Sequence, residues 1–338
     1  MIKLEWTRKA SGKARLLSIK DENIIYVDKN NSIHSLNIKD GTDLWHHKYK
    51  SGHFIDYSEP HIIDDKVIVS WEKYLSCHDL KTGDLLWEIE NTNGKGCEFP
   101  EYLNDDESDF CFFLFKIEDF VFFSSYSGII RKINFSNGEY EILNSVDGTY
   151  NWYPIDDENF FLKRNPNSRK FFVSFKNQKL SDFQEFERDG GAHNRCISTD
   201  KYFFLEFGDD VEIFERDSKK SLHKITITGD RYLRDVVVYK DNIIIITNYF
   251  FICLDSNFKK VWEYENFDIN CFCTFKQGFV FDDSSFEGLN YIDYESGEII
   301  KYDGKEGLEW YTEMYSCGNK LLTVNYDHVF LYTVSEEG

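Results

Sequence analysis

Two stretches of the chain, SIHSLNIKDGTDLWHHKY at 32–49 and YLSCHDLKTGDLLWEIE at 74–90, decide the fold. Each reads as a strand, a turn that carries glycine, and a second strand with a tryptophan near its start. Weaker copies follow at 128–143, 250–265 and 288–302. A repeat of about 40 residues built only of strands is typical of a β-propeller. We therefore expect an all-β fold with four antiparallel strands per blade.

The number of blades follows from the turns between third and fourth strands. The segment 311–334 supplies three more strands after the last of these turns, and the N-terminal strand, Ile2 to Lys9, has no partner of its own. Joining the two chain ends closes an eighth blade and removes free sheet edges, which predicts an eight-bladed propeller in one domain, 1–338. Seven blades is the alternative, if the weak unit at 150–186 is misread. The seven turns fall near Gly41, Gly83, Gly138, Asn177, Ser218, Asn257 and Gly297.

The segments DGTDLW and KTGDLLW resemble the Gly-then-Trp turn of pyrroloquinoline-quinone-like propeller repeats. This resemblance implies that the tryptophan of each outer strand docks between neighbouring blades. Trp45, Trp87 and Trp262 hold that position, and Trp6 is the equivalent in the N-terminal strand. Some cytosolic immunity proteins of bacterial contact-dependent toxin systems also look like acidic propellers, so the resemblance extends to that class.

The charge balance restricts the partners. Sixty acidic residues against 39 basic ones leave a net charge of −21, which repels nucleic-acid backbones and anionic lipid. Either the acidity only keeps the protein soluble, or it serves a basic protein partner. We find no secretory signal, lipoprotein cysteine or apolar run long enough to span a membrane, and therefore expect a cytoplasmic protein that contacts no membrane.

One repeat is longer than the others: Gly83 and Gly138 are 55 residues apart, whereas the other turns are 39 to 42 residues apart. The extra length is the connection at 91–110, which we expect to project over the top face of the propeller. A long loop on a regular scaffold is more often functional than structural, although a disordered acidic flap is the alternative. Together with other top-face connections, it predicts a partner-binding set: Glu98, Phe99, Glu101, Tyr102, Asp105, Asp106, Glu107, Asp109, Asp209, Asp210, Asp282, Asp283 and Trp310.

Sites for chemistry are less evident. Cys271 and Cys273 form a Cys-x-Cys in an expected innermost strand, but a metal site needs two more ligands nearby. Cys111, Cys196 and Cys317 also fall on expected inner strands, so packing near a crowded axis explains all five cysteines. His34 and His78 occupy equivalent places in two repeats, which predicts a structural role. We expect no metal, no cofactor and no catalytic residues.

These observations predict a non-enzymatic propeller that captures a basic protein. In its most specific form, it is an immunity protein that occludes the active site of a basic, nuclease-type toxin by placing carboxylates where phosphates would bind. A general protein-interaction scaffold is the first alternative, and an enzyme that uses the central funnel is the second.

Overall fold

Every regular element in the described part of the chain is a β-strand, and 32 strands are present in this computed structural model. The structure describes residues 2–10, 14–28, 30–50, 60–71, 74–90, 110–125, 129–145, 149–155, 159–165, 170–176, 179–185, 195–227, 232–265, 268–283, 289–302, 313–325 and 327–334.

The strands form eight four-stranded sheets, numbered here from the first complete hairpin pair. Sheet 1 consists of β2 (Ala14–Lys20), β3 (Asn23–Asp28), β4 (Ser32–Asn37) and β5 (Asp43–Lys48), and sheet 2 of β6 (His61–Ile63), β7 (Lys66–Trp71), β8 (Tyr74–Asp79) and β9 (Leu85–Glu90). Sheet 3 consists of β10 (Phe110–Ile117), β11 (Phe120–Ser125), β12 (Ile129–Asn134) and β13 (Tyr140–Ser145), and sheet 4 of β14 (Thr149–Pro154), β15 (Asn159–Asn165), β16 (Lys170–Lys176) and β17 (Lys179–Glu185).

Sheets 5 to 8 continue in the same order. Sheet 5 consists of β18 (Cys196–Ser198), β19 (Tyr202–Phe207), β20 (Asp210–Glu215) and β21 (Ser221–Thr226), and sheet 6 of β22 (Leu233–Tyr239), β23 (Asn242–Thr247), β24 (Phe250–Leu254) and β25 (Lys260–Glu265). Sheet 7 consists of β26 (Ile269–Phe275), β27 (Gly278–Asp283), β28 (Leu289–Asp293) and β29 (Ile299–Tyr302), and sheet 8 of β30 (Glu313–Cys317), β31 (Lys320–Asn325), β32 (His328–Val334) and β1 (Ile2–Lys9).

The last sheet joins the two ends of the chain. β1 pairs antiparallel with β32, with Ile2 opposite Val334 and Lys9 opposite His328. This confirms the expectation that the N-terminal strand completes the sheet begun by the C-terminal hairpins. First strands of several neighbouring sheets contact each other, as β14 contacts β18 and β26 contacts β30, which places the first strands innermost. At the closure of the ring, β30 of sheet 8 contacts β2 of sheet 1.

Burial explains why second and third strands read as continuous apolar runs. In β23, Ile243 to Ile246 are each at most 1% exposed, because both faces of the strand are covered by neighbouring sheets. A run buried on both faces has no polar alternation. The outer strands differ, and Leu85 and Leu86 of β9 are exposed while Trp87 is buried. The architecture is therefore a β-propeller in which apolar sheets pack face to face around the inner strands.

The tryptophan of an outer strand docks on the next sheet. Trp45 Nε1 of sheet 1 donates a hydrogen bond to the carbonyl oxygen of Leu80 in sheet 2 at 2.9 Å, and its ring lies against Gly83. The expected docking is confirmed for all four tryptophans, whose glycine partners in the next sheet are Gly41 for Trp6, Gly83 for Trp45, Gly138 for Trp87 and Gly297 for Trp262.

Two separate features of this contact require glycine at position 83. Its φ is +76°, and a Cβ on it would lie 2.5 Å from the Trp45 ring. An L-residue is disfavoured at such a φ, and the close approach leaves no room for a methyl group. The turn and the tryptophan are thus one packing unit.

His78, in the strand that leads into this turn, holds the turn in place. Its Nδ1 donates to the Gly83 carbonyl oxygen at 3.1 Å, and its Nε2 accepts from the Tyr49 hydroxyl at 2.6 Å. Burial lowers the pKa of His78 to about 4, so the ring is neutral near pH 7. The predicted structural role of this histidine is confirmed.

Replacing Gly83 by alanine should destabilise the fold more than the same change at Gly318. Both glycines have positive φ, +76° and +61°, but nothing lies within 4 Å of a Cβ on Gly318. Gly318→Ala therefore measures the backbone cost alone, about 1–2 kcal/mol, and Gly83→Ala should add about 1–3 kcal/mol from displacement of Trp45. Urea unfolding monitored by tryptophan fluorescence measures both, and equal losses would contradict the docking account.

His78 should make stability depend on pH. Because its pKa is lowered from 6.5 to about 4 on folding, the unfolded chain binds its proton first, and stability present above the unfolded pKa is lost as pH falls through this window. Compared with His78→Gln, the wild type should lose up to ~1.4 kcal/mol more per pH unit near pH 5. Urea unfolding at a series of pH values tests this, and parallel stability curves would refute it.

Candidate protein-binding face

The predicted site lies at one end of the strands. Connections between second and third strands, and those between successive sheets, lie at the same end, which we call the upper end. The structure places Asp209 in the turn between β19 and β20, Asp210 at the start of β20, and Asp282 and Asp283 at the end of β27. All four residues are therefore at the upper end, in sheets 5 and 7.

The acidic pair of sheet 5 faces solvent. Asp209 is exposed. Asp210 is partly buried and is held in place, since it forms an ion pair with Lys224 at 2.6 Å and accepts a hydrogen bond from Thr226 Oγ1 at 2.9 Å. Asp209 thus offers a carboxylate to a partner, whereas part of the charge of Asp210 is already neutralised.

The acidic pair of sheet 7 has a different environment. Asp282 is 7% exposed and accepts a hydrogen bond from Asn270 Nδ2 at 3.2 Å. Asp283 is 1% exposed and accepts one from the backbone N–H of Asp268 at 3.0 Å. These carboxylates hold the start of β26, so little of either is accessible to a protein partner.

The remaining members of the predicted set lie outside the described residues, and their role stays a prediction. The described strands β9 and β10 flank the segment that contains most of them, and both meet it at the upper end. The set comprises Glu98, Phe99, Glu101, Tyr102, Asp105, Asp106, Glu107, Asp109 and Trp310.

A buried glutamate missed at the sequence level organises the upper end. Glu206 is 1% exposed; its Oε1 accepts from the N–H of Leu233 at 2.8 Å and its Oε2 from the N–H of Arg195 at 3.2 Å. Leu233 begins the inner strand of sheet 6, so the Glu206 carboxylate of sheet 5 is hydrogen-bonded to the backbone of the next sheet. Two N–H donors offset the cost of burying the charge.

The connection continues into sheet 7. Asn248 Oδ1 accepts from the N–H of Tyr232 at 3.0 Å, and the Asn248 carbonyl oxygen accepts from the N–H of Ile269 at 3.1 Å. Arg234 donates to the carbonyl oxygens of Ile269 and Asn270 at 2.5 and 3.0 Å. These bonds join sheets 5, 6 and 7 into one rigid polar frame beneath the acidic surface.

A sequence signal for this frame exists. A polar residue stands where the apolar run of a second strand ends: Glu206 in FFLEF, Asn248 after NIIIIT, and Asp283 in GFVFDD. Each accepts a backbone N–H at the start of an inner strand. The pattern predicts a polar residue at that place, but not its donor, because the N–H groups of Tyr232 and Asp268 lead into the same sheet as their acceptors, whereas that of Leu233 belongs to the next sheet.

The cysteines lie where the sequence predicted. Cys196 is in β18, Cys271 and Cys273 are in β26, and Cys317 is in β30, all inner strands; Cys111 is likewise in the inner strand β10. Burial raises the pKa of Cys271, and that of Cys273 to about 12, so both thiols stay protonated near neutral pH. Within the described ranges, no three His, Cys, Asp or Glu side chains cluster closely enough to hold a metal ion.

Residues 3–180, more than half of the chain, match the family described as outer membrane protein assembly factor BamB. The chain belongs to this family. No curated protein matches it. The BamB family assignment agrees with the resemblance of its Gly-then-Trp turns to pyrroloquinoline-quinone-like repeats.

Two solved structures show how far the likeness extends. BamB from Moraxella catarrhalis aligns with a TM-score of 0.69 at 12% identity, covering 99% of this chain and 100% of that one. The computationally designed Ika8 protein aligns with a TM-score of 0.70 at 10% identity, covering 96% and 98%. At such identities, the likeness to BamB concerns the fold. No helix able to cross a membrane occurs among the described residues.

Removing the Glu206 carboxylate should loosen the frame. Glu206→Ala leaves the N–H groups of Leu233 and Arg195 without their acceptor, at a cost of about 1–3 kcal/mol, whereas Glu206→Gln keeps one carbonyl acceptor and should cost less. The exposed Asp209→Asn serves as control and should change stability by less than about 0.5 kcal/mol. Urea unfolding compares the three, and a neutral Glu206→Ala would show that the frame does not contribute.

Proposed function

We propose that this chain is a protein-binding propeller of eight blades that captures a basic protein at its upper end. The observation that carries the proposal is the acidity of that end. Asp209, Glu265 and Asp268 are exposed there, on or next to the rigid polar frame of sheets 5 to 7. In sheet 2, the exposed Glu90 ends β9, immediately before the acidic segment 91–109.

Eight blades are supported by the pairing and contacts of the sheets. All eight sheets have the same order of four strands, with β1 taking the outer place in sheet 8. Trp6 of β1 docks on Gly41 of sheet 1, as the other tryptophans dock on the sheets that follow them. We call the contact between two adjacent sheets a seam. The seam between the last sheet and the first thus has the same tryptophan–glycine packing as the other seams at which a tryptophan docks.

Electrostatics explains why the partner would be basic. A net charge of −21 attracts a cationic surface over distances longer than a contact and accelerates encounter. Carboxylates at the upper end then orient the bound partner, while aromatic side chains among them bury apolar surface against it. The alternation of acids with Phe99, Tyr102 and Phe110 in the segment 91–110 provides both kinds of group.

The most specific form of the proposal is a cytoplasmic immunity protein that covers the active site of a basic, nuclease-type toxin. Its support is the excess of 60 acidic over 39 basic residues, since such an inhibitor must offer carboxylates where the toxin binds phosphates. No chemistry by this chain is needed for that role.

Family membership favours a second candidate, a general protein-interaction scaffold. The description of the matching family names an assembly factor, and one solved neighbour is a BamB protein. A scaffold would bind several partners through separate surfaces, whereas an inhibitor would depend on one dominant acidic surface. Reversing charges at one end of the propeller distinguishes these candidates.

We predict that charge reversal at the upper end, but not at the lower end, disrupts binding. The test variant carries Glu98→Lys, Glu101→Lys, Asp105→Lys and Asp106→Lys. Its matched control changes net charge equally in exposed turns of the opposite end, through Asp65→Lys, Asp119→Lys, Asp200→Lys and Asp241→Lys. The probe is a basic, nuclease-type toxin domain sought among the genes that neighbour this one, and binding is followed by biolayer interferometry at several salt concentrations.

The upper-end variant should bind at least about tenfold more weakly and lose the salt dependence of the association rate, while the control should retain both. Growth of cells that co-express the toxin domain gives a second readout. Absence of a complex and of protection would refute the immunity form. Equal losses in both variants would refute a dedicated upper surface, and retained binding in both would favour the scaffold.

A further inference from the structure

A cavity of about 730 Å³ opens at the upper end between sheets 8 and 1, and its lining is basic. Arg8 and Lys9 approach from β1, and Lys48 and Lys50 from the end of β5. Among the described residues that line the cavity, Asp43 is the one carboxylate. Such a concentration of cations is unexpected in a chain with a net charge of −21, so their placement requires an explanation.

Three of these cations form no ion pair with a described residue. Arg8 donates to the Asp43 carboxylate across the seam between β1 and β5. In contrast, Lys9, Lys48 and Lys50 are exposed and form no ion pair within the described part of the chain. The positive charge of the lining therefore exceeds what Asp43 neutralises, and the lysines can reorient toward a ligand.

The floor of the cavity is rigid. Tyr26, His34 and His46 lie opposite one another on three adjacent strands, with ring centroids 4.5 Å apart for Tyr26–His34 and 6.1 Å apart for His34–His46. His34 Nε2 contacts the buried Asp28 carboxylate at 2.9 Å. A floor that is ordered before binding lowers the entropic cost of holding a ligand.

The same buried carboxylate shapes the wall. Asp28 Oδ1 accepts hydrogen bonds from the N–H groups of Asn30 and Ser32 at 2.8 and 3.1 Å, which fixes the connection between β3 and β4. Both residues line the cavity. Asp28 is 1% exposed and bonded to these N–H groups and to His34, so its carboxylate does not contact an anion in the cavity, and its charge counts with that of Asp43 against the four cations of the lining.

We propose that this cavity binds a small multivalent anion, whose phosphate or carboxylate groups contact Lys9, Lys48 and Lys50. The volume lies within the usual range of small-molecule sites. Acidic residues elsewhere on the surface oppose the ligand weakly, because salt screens charges beyond about 8 Å at physiological ionic strength. A ligand here contacts the first and last sheets together, and so stabilises the seam where the chain ends meet.

The test uses pyrophosphate, citrate and sulfate as probe anions at constant ionic strength, with isothermal titration calorimetry and thermal unfolding as readouts. The variant Lys9→Gln/Lys48→Gln/Lys50→Gln removes the proposed contacts. The control Lys81→Gln/Lys201→Gln/Lys259→Gln removes three exposed lysines elsewhere and changes net charge equally. Lys48→Gln alone provides a milder second variant, and circular dichroism verifies that each protein is folded.

Wild type and control should bind pyrophosphate or citrate and unfold at higher temperature with it, because a ligand that binds only the folded chain stabilises it. The cavity variant should bind at least about tenfold more weakly, and Lys48→Gln should lie between. Preference for pyrophosphate or citrate identifies the anionic group. Absence of binding by both multivalent probes, binding as tight for sulfate as for either of them, or equal weakening in cavity and control variants would overturn the proposal.

Discussion

The contact between a tryptophan of one sheet and a glycine turn of the next is the constraint on which the whole molecule depends. Each sheet has two apolar faces that only its neighbours can cover, so the separation between sheets must be set at every seam. At Gly83 a side chain would lie 2.5 Å from the Trp45 ring, and the backbone adopts a positive φ. At the last seam, Trp6 of the N-terminal strand makes the same contact with Gly41 of sheet 1.

The hydrogen bonds that hold the sheets together at the upper end determine which of its carboxylates remain exposed to a partner. Glu206, Asp282 and Asp283 are buried and accept backbone or amide N–H groups, so the Glu206 carboxylate joins sheet 5 to sheet 6 and the two aspartates hold the start of β26 within sheet 7. The charge available to a partner lies instead in exposed residues such as Asp209 and Glu265. Acidity counted over the chain therefore overstates the acidity of the described binding surface.

The upper end carries both signs of charge in separate places. Acidic groups lie over sheets 5 to 7, whereas Lys9, Lys48 and Lys50 surround the cavity between sheets 8 and 1. Screening over about 8 Å lets two such regions coexist on one protein. A basic protein partner and a small anion would thus occupy different parts of the same end.

The repeat by itself predicted the all-β propeller, because strand periodicity and turn chemistry are local. The count of its hairpins predicted the pairing of β1 with β32, and the resemblance to pyrroloquinoline-quinone-like repeats implied the Gly-then-Trp docking. The sequence could not separate Asp209 from Asp283, since both stand in similar Asp-Asp pairs at the end of a second strand, yet one is exposed and the other is 1% exposed. Nor could it reveal the basic cavity. Arg8 and Lys48 belong to different sheets, and only the packing of the last sheet against the first brings their charges to one site.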